Sequence, residues 1–314
     1  PDIRTAENRE YFNSLEMSTI ADSLSEEESG NKESSKKKER EYTIVRNTEQ
    51  LQQVIKAVKD SGIVSIDTET TSKRPVEAEL IGISISIEEN SGWYIPVPAG
   101  TLFEDNPLPK SEIVSALKPV LEDTAVRKIG QNIKYDIIVL AGEGIIMQGV
   151  YFDTMIAAYL LNPAERRHNL DELAMQYLGY TTTTYKELLA AAGKKAASLA
   201  DVSLEDIADY AIEDADITLR LYHLLKAKLE EEELLSLFFD VEMPLVQVLA
   251  DMEMKGIKID PGHFSLIQQE NEKMLEEVKE KIFDLAEETF NINSTRELSR
   301  ILFEKLALKP VKKT

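Results

Sequence analysis

Four acidic residues in separate stretches of the sequence could together hold divalent metal ions. Asp67 and Glu69 follow a short apolar run. Asp136 is the last residue of the stretch at 131–136, and Asp214 is the last residue of the stretch at 210–214. Carboxylate oxygens, without any cysteine or clustered histidine, suit Mg²⁺ or Mn²⁺ rather than Zn²⁺. The pattern therefore predicts an oxygen-donor site for divalent metals.

The first two carboxylates are expected to emerge from the end of a strand. The run at 63–66 is short, rich in β-branched residues and preceded by Gly62, which is typical of a buried strand. Side chains two residues apart on a strand point to the same face. Asp67 and Glu69 should therefore lie side by side.

The other two carboxylates lie in segments with helical periodicity, each four residues after a polar partner. Asn132 precedes Asp136, and Tyr210 precedes Asp214. Four residues slightly exceed one helical turn, so each pair projects from one side of its helix. Taken singly, each stretch also fits an acidic strand end, a solvated helix residue or, at 213–216, a wet acidic face. The order and spacing together are far more specific.

The elements that must position these residues form an alternating pattern. From Tyr42 the sequence predicts a strand, a helix with Leu51 and Val58 on its apolar face, and the acidic strand. Strands at 80–87 and 93–97, a helix from Ser111, a short strand at 126–129 and then mostly helices follow. This pattern is that of an α/β domain with a mixed sheet.

Four motifs carry a resemblance to a known family. The matching text is VSIDTET at 64–70, KIGQNIKYD at 128–136, FDTM at 152–155 and YAIEDAD at 210–216. It resembles the 3′-5′ proofreading exonuclease domains of family A bacterial DNA polymerases, in the tyrosine-containing branch of the DEDD exonuclease superfamily. The resemblance runs from about Tyr42 to the last residue. It implies a ribonuclease H-like mixed sheet flanked by helices, followed by an all-helical segment.

The resemblance also implies a two-metal hydrolysis of phosphodiester bonds. Asp67, Glu69 and Asp214 would hold the Mg²⁺ that activates water, and Asp67 and Asp136 would contact a second Mg²⁺ beside the leaving group, with Mn²⁺ as a possible substitute. Tyr210 would orient the nucleophile through its hydroxyl, helped by Glu69. A phenol with a pKa near 10 is a poor general base at neutral pH, so orientation is the expected role. Without metal, we expect a raised pKa for at least one carboxylate.

Six further residues are expected to contact nucleic acid by resemblance. They are Gln131, Asn132 and Tyr135 near the terminal nucleotide, Arg167 near a phosphate, Tyr185 as a stacking aromatic, and Lys73. The alternative is that Tyr135 and Tyr185 are core residues and that Arg167 pairs with Glu165 or Asp171.

Lys73 departs from the family pattern. Many relatives have an apolar residue, usually leucine, shortly after the first motif, where it wedges against the terminal base. Lys73 could contact a phosphate or lay its methylenes on the base, but it cannot reproduce an aliphatic wedge.

Three other residues near the motifs are not expected to bind metal. Asp153 precedes an apolar helix and fits an N-cap. Asp216 lies two residues beyond Asp214, which turns it away from the ligand face of the helix. His168 has no partner at ligand spacing, which favours a surface or hydrogen-bonding role.

Composition limits the functions that the chain can have. A net charge of -21 argues against a generic nucleic-acid binder, since non-specific affinity comes largely from Lys and Arg. It predicts poor DNA affinity for this chain alone and a more basic partner module. The absence of cysteine favours a reducing cytoplasm, and no apolar stretch approaches membrane-spanning length. We therefore expect a cytoplasmic protein without membrane contact.

Three regions are predicted along the chain. Residues 1–40 are polar and fit a disordered linker with one transient helix near 8–24. Residues 41–233 form the exonuclease domain. Residues 234–314 resemble the N-terminal, thumb-base part of a polymerase domain, truncated before the palm, so no polymerase activity is expected from this chain.

Three functions remain open from the sequence. The first is a 3′-5′ exonuclease that shortens single-stranded or frayed DNA 3′ ends and works with the remaining palm and fingers of a polymerase. The second is a ribonuclease D-like exoribonuclease, which shares the motifs; the text at 256–260 favours the polymerase. The third is a catalytically silent structural domain, which has no need for four intact carboxylates.

Overall fold

The computed structural model describes residues 40–99, 108–193 and 198–309. Two compact units divide between Met254 and Lys255. The predicted linker at 1–40, with its helix near 8–24, lies outside the described residues except for Arg40.

A six-stranded mixed sheet forms the centre of the first unit. Its strands are β1 Glu41–Ile44, β2 Ile63–Thr70, β3 Leu80–Ser86, β4 Ser91–Pro96, β5 Arg127–Gly130 and β6 Val150–Asp153. The order across the sheet is β1-β4-β3-β2-β5-β6. Strand β3 is antiparallel to both neighbours, whereas the pairs β1 with β4, β2 with β5 and β5 with β6 are parallel. The predicted mixed α/β fold is confirmed.

The helices of the first unit flank this sheet. They are α1 Thr48–Ser61, α2 Lys110–Leu121, α3 Lys134–Gly142, α4 Thr154–Leu161, α5 Leu170–Leu173, α6 Tyr185–Ala192, α7 Leu204–Glu231, α8 Leu235–Leu237 and α9 Met243–Lys255. Two π-helical segments, Ala174–Leu178 and Phe238–Glu242, and a 3₁₀ turn, Leu199–Asp201, connect them.

Helix α1 shows how the local sequence sets the element bounds. The Asn47 side chain caps the helix by accepting the Gln50 N–H, and Gly62 ends it with a left-handed φ of 67°. Between them, the buried residues recur at helical spacing, including Leu51 and Val58. The predicted apolar face of this helix therefore packs into the core.

Strand β6 is an edge strand that the sequence did not predict. Residues after the short strand at 126–129 were expected to be mostly helical, but Val150–Asp153 pairs with β5. The strand has only four residues and continues directly into the apolar helix α4. Because the strand runs straight into an apolar helix, its short pattern cannot be separated from that of the helix.

The long helix α7 lies across the sheet and contacts strands β1 to β5. Its inward residues are apolar over most of its 28 residues, and they include Ile207, Ala211, Ile217 and Leu225. This placement brings one stretch of the helix next to the end of β2.

Residues 235–254 pack with the first unit. Phe238, Met243, Val246 and Ala250 are buried in its hydrophobic core. The division between the units thus falls later than the predicted family boundary at 233/234, which stays a prediction.

The second unit is helical. It contains α10 Pro261–Ala286, α11 Thr295–Ser299 and a π-helical segment, Arg300–Lys305. Across the described ranges of both units, no helix is long and apolar enough to cross a membrane.

Candidate active site

Strand β2 presents Asp67 and Glu69 at its end, as the strand alternation predicts. In the antiparallel pair with β3, Asp67 lies opposite Ser84 and Glu69 lies opposite Gly82. The register shifts directly after Glu69, because Ile81 is an extra residue in β3. The two carboxylates therefore share one face beside an irregular strand end.

Gly82 makes room for an aromatic ring under this face. A β-carbon built on Gly82 would lie 2.0 Å from the hydroxyl oxygen of Tyr94. Tyr94 is fully buried, and burial, followed by the charges of Glu69 and Asp67, raises its pKa. The uncharged phenol of Tyr94 therefore packs directly beneath Asp67 and Glu69.

Helix α7 brings a third carboxylate to the same place. One carboxylate oxygen from each of Asp67, Glu69 and Asp214 lies within 4.8 Å of the other two. The donors are oxygen atoms only, which suits a hard divalent cation. The residues present therefore fit a metal ion of the predicted kind.

The fourth carboxylate lies nearby but outside this group of three. Asp136, in the first turn of α3, accepts the Thr68 N–H at 3.0 Å and the Thr68 hydroxyl at 2.6 Å, both through Oδ1. Its Oδ2 atom takes no part in these bonds. Asp136 lines the same cavity as Asp67, and burial, followed by the charge of Asp67, raises the pKa of Asp136. Thr68 was not singled out from the sequence, because its partner is 68 residues away.

All four carboxylates have raised pKa values in the folded protein without metal. Burial raises the pKa of Asp67 to about 7, and burial together with the charge of Asp67 raises the pKa of Glu69 to about 8. Burial is also the main cause for Asp136 and Asp214. The predicted raised pKa is confirmed, and a cation entering the site must displace protons.

Tyr210 lies one helical turn before Asp214 on α7 and stays protonated at neutral pH. Burial and then the charge of Asp214 raise its pKa. A neutral phenol can orient a water molecule but cannot act as a base.

A cavity of about 480 Å³ connects these residues with most of the predicted nucleic-acid contacts. It is lined by Asp67, Thr68, Glu69, Thr70, Thr71, Ser72, Lys73, Gln131, Asn132, Tyr135, Asp136, Tyr185, Leu199, Tyr210 and Asp214. Arg167 is not among the lining residues. It is exposed and pairs with Glu172 at 3.2 Å, rather than with Glu165 or Asp171.

The two aromatic residues of the cavity have different surroundings. Tyr185 begins α6 and is 40% exposed, so it is not a core residue. Tyr135 is half-buried against the core, and its hydroxyl bonds the Thr70 hydroxyl and the Ser72 carbonyl. Tyr135 thus fixes the connection that follows β2.

Gln131 uses its side-chain amide within the protein. Its Nε2 donates to the His168 carbonyl at 2.7 Å, and its Oε1 accepts from the Thr154 hydroxyl. The next residue, Asn132, has a left-handed φ of 57°. The His168 ring packs edge-on against Tyr159, and its Nε2 is buried without a hydrogen-bond partner in the described part of the chain.

Asp153 caps helix α4, as predicted, and also holds the start of α3. Its Oδ1 accepts the N–H groups of Met155 at 2.8 Å and Ile156 at 3.2 Å. The same carboxylate accepts the N–H groups of Asn132 at 3.2 Å and Ile133 at 2.8 Å. The second role was not predicted, although it positions the helix that carries Asp136.

Comparison with known proteins identifies the family. Residues 42–230 match a family model described as 3′-5′ exonuclease. The chain belongs to this family. It is therefore a nuclease, and the resemblance based on the sequence motifs is confirmed.

Related proteins are bacterial DNA polymerases. The chain is 34% identical over 311 residues to DNA polymerase I of Pseudomonas aeruginosa, which covers 96% of this chain and 34% of that protein. It is 37% identical over 271 residues to DNA polymerase I of Chloroflexus aurantiacus, covering 85% and 28%. The chain thus spans about a third of the length of the relatives that it matches.

Two solved structures show the same fold. The polymerase domain of Pol1 from M. smegmatis, in complex with DNA primer-template and dNTP, has a TM-score of 0.65 and 25% identity, covering 87% of this chain and 42% of that one. Brucella melitensis NrnC has a TM-score of 0.51 and 22% identity, covering 69% and 94%.

Proposed function

We propose that this exonuclease removes nucleotides from single-stranded or frayed DNA 3′ ends by a two-metal mechanism, as the proofreading part of a DNA polymerase I. The convergence of Asp67, Glu69 and Asp214 within 4.8 Å carries the proposal. The similarity to several bacterial DNA polymerases supports DNA as the substrate and a polymerase palm and fingers as the partner module.

Four carboxylates would hold two divalent ions, with Mg²⁺ as the expected metal. Asp67, Glu69 and Asp214 would bind one ion, and Asp67 and Asp136 the other. When bound, the ions supply an activated water and positive charge at the scissile phosphate. The hydrogen bonds from Thr68 fix Asp136 so that Oδ2 is the oxygen left for this role.

The remaining cavity residues bind and orient the substrate. The Tyr210 hydroxyl, in the same cavity wall as Asp214, orients the attacking water together with Glu69. Tyr185, on the rim, offers a ring on which a base can stack. Lys73 lines the same cavity and can contact a phosphate.

Labelled single-stranded DNA and RNA of one sequence, incubated with Mg²⁺, test the proposal. We expect stepwise shortening of DNA from the 3′ end and its loss with EDTA. Asp67→Asn should lower the rate more than about 100-fold, since even residues that only orient a metal ligand contribute 10–100-fold. The control Asp60→Asn changes an exposed aspartate that pairs with Lys56, and it should leave the rate unchanged.

Each other outcome contradicts a specific part of the proposal. Faster trimming of RNA would favour the ribonuclease D-like alternative. No cleavage of either substrate would favour a silent structural domain. Activity that persists in Asp67→Asn would exclude this carboxylate site.

A further inference from the structure

Glu213 is a buried carboxylate that the proposed chemistry does not use. It is 3% exposed and directly precedes Asp214 on α7. Adjacent helix residues project about 100° apart, so the two carboxylates face different neighbours. A buried charge is tolerated only with partners, so the partners of Glu213 show its role.

Three donors surround the Glu213 carboxylate. The Tyr180 hydroxyl donates to Oε1 at 2.5 Å, and the Thr183 N–H donates to Oε2 at 2.7 Å. The Arg40 guanidinium forms an ion pair with Oε1 at 3.0 Å. Burial raises the pKa of Tyr180 to about 12, so its hydroxyl keeps the proton that it donates.

Two of these donors belong to the connection at 180–184. The Thr182 hydroxyl in the same connection donates to Asp171 at 2.7 Å. Thr184 then caps α6 and forms a reciprocal pair of hydrogen bonds with Glu187. Hydrogen bonds of Tyr180, Thr182, Thr183 and Thr184 therefore fix most of the connection that leads to the first residue of α6.

The first residue of α6 is Tyr185, on the rim of the cavity. Tyr185 lines the same cavity as Asp67 and Glu69, and burial, followed by the charge of Glu69, raises its pKa. Helix α7 thus presents Asp214 to the metal site and, through Glu213, holds the backbone that carries the rim aromatic.

We propose that Glu213 is a positioning residue that fixes Tyr185 for contact with the terminal nucleotide, and so governs substrate binding rather than hydrolysis. The inference rests on the proposed function, because it takes Tyr185 as a substrate contact. It assigns Glu213 to neither metal binding nor proton transfer.

Steady-state hydrolysis of a labelled single-stranded oligonucleotide by the full chain tests the proposal. Glu213→Gln should raise KM about tenfold and leave kcat within about twofold, the pattern of lost binding. Tyr180→Phe, which removes one oxygen, should raise KM in the same direction. The Mg²⁺ concentration for half-maximal rate should stay unchanged. The control Glu205→Gln, an exposed residue of α7 paired with Arg46, should change nothing.

A double variant separates positioning from general destabilisation. If Glu213 acts through Tyr185, adding Glu213→Gln to Tyr185→Ala should not raise KM further. Additive effects, a fall in kcat at constant KM, or a changed Mg²⁺ requirement would overturn the proposal. If Glu213→Gln does not fold, the same comparison with Tyr180→Phe decides.

A fluorescence measurement tests positioning without any nuclease activity. The chain has one tryptophan, so Trp93→Phe with Tyr185→Trp places a single reporter on the rim. Glu213→Gln should increase its quenching by acrylamide, whereas Glu205→Gln should not. If the wild-type chain hydrolyses no 3′ end, the proposed function fails while this measurement still stands. If the wild-type chain hydrolyses 3′ ends but Glu213→Gln changes neither KM nor acrylamide quenching, only the positioning role of Glu213 is contradicted.

Discussion

Gly82 allows a buried ring to pack directly beneath the acidic pair. We expect Gly82→Ala to lower the free energy of unfolding by about 1–3 kcal/mol, because its β-carbon would overlap Tyr94 in a packed core. The displaced ring would move against Glu69 and lower the exonuclease rate. Denaturant unfolding and the hydrolysis assay measure the two effects.

The matched control for this prediction is Gly142→Ala. Gly142 is the last residue of α3, and nothing lies within 4 Å of a β-carbon there. Alanine is the better helix former, so this change should be neutral or slightly stabilising. Equal destabilisation by both changes would show that the Tyr94 contact is not the cause.

Single residues also show where sequence reasoning about the site succeeds and where it fails. Spacing and family resemblance brought out the carboxylates that converge, because their positions follow from strand and helix periodicity. The run at 213–216 also fitted a wet face, but Glu213 and Asp216 are buried. Glu213 pairs with Arg40 and Asp216 accepts from Tyr42, contacts that span more than 170 residues and that no local pattern could have revealed. The pairing of Asp216 with Arg220, by contrast, lies within one turn of the same helix.

At the scale of elements, Asp153 joins the starts of two helices. Asp153→Asn keeps the size of the side chain but replaces an acceptor oxygen with an NH₂ group that faces N–H donors. We expect the free energy of unfolding to fall by about 1–3 kcal/mol, the cost of a buried unsatisfied group. The exonuclease rate should fall too, because α3 carries Asp136. Thermal unfolding and hydrolysis would be measured together.

A second N-cap aspartate provides the comparison. Asp260 caps α10 with bonds to the N–H groups of Gly262 and His263, but it is exposed. Asparagine is about as good as aspartate at such a position, so Asp260→Asn should cost little. A similar loss in both variants would contradict the role given to Asp153 in holding α3.

Helix α1 was predictable from local signals, whereas strand β6 was not. Helix α1 has an apolar face, a capping residue and a final glycine, and each signal is local. Strand β6 has four residues and becomes stable only by pairing with β5. The position of α7 across the sheet is likewise a tertiary property, although its helical character is evident from spacing.

At the scale of the whole molecule, the acidic site links stability to pH. The pKa values of Asp67 and Glu69 are raised to about 7 and about 8 in the folded state. At pH values between the pKa values of these two groups in the unfolded chain and those in the folded protein, the folded state binds more protons than the unfolded state. The free energy of unfolding therefore falls as pH rises through this range and does not recover above it.

We expect bound metal to restore the stability that the metal-free protein loses as pH rises. Without metal, the melting temperature should fall between pH 5.5 and 8.5 more steeply for the wild type than for Glu69→Gln. Mg²⁺ should raise it more at pH 8.5 than at pH 5.5, because the cation binds the ionised carboxylates. Glu77→Gln, an exposed residue paired with Arg74, should behave as the wild type. Equal metal effects at both pH values would contradict the linkage. Calorimetry would measure the melting temperature at both pH values, with and without Mg²⁺.

The irregular pairing after Glu69 separates the acidic pair from the connection at 71–79, which contributes Thr71, Ser72 and Lys73 to the cavity wall. Because Ile81 already absorbs a one-residue change in strand register, we expect a change in the length of the connection at 71–79 to shift Asp67 and Glu69 little. We expect that exchanging this segment between homologues would alter which DNA 3′ ends are bound, while the cleavage chemistry stays the same. Such grafts offer a practical route to nucleases with new preferences.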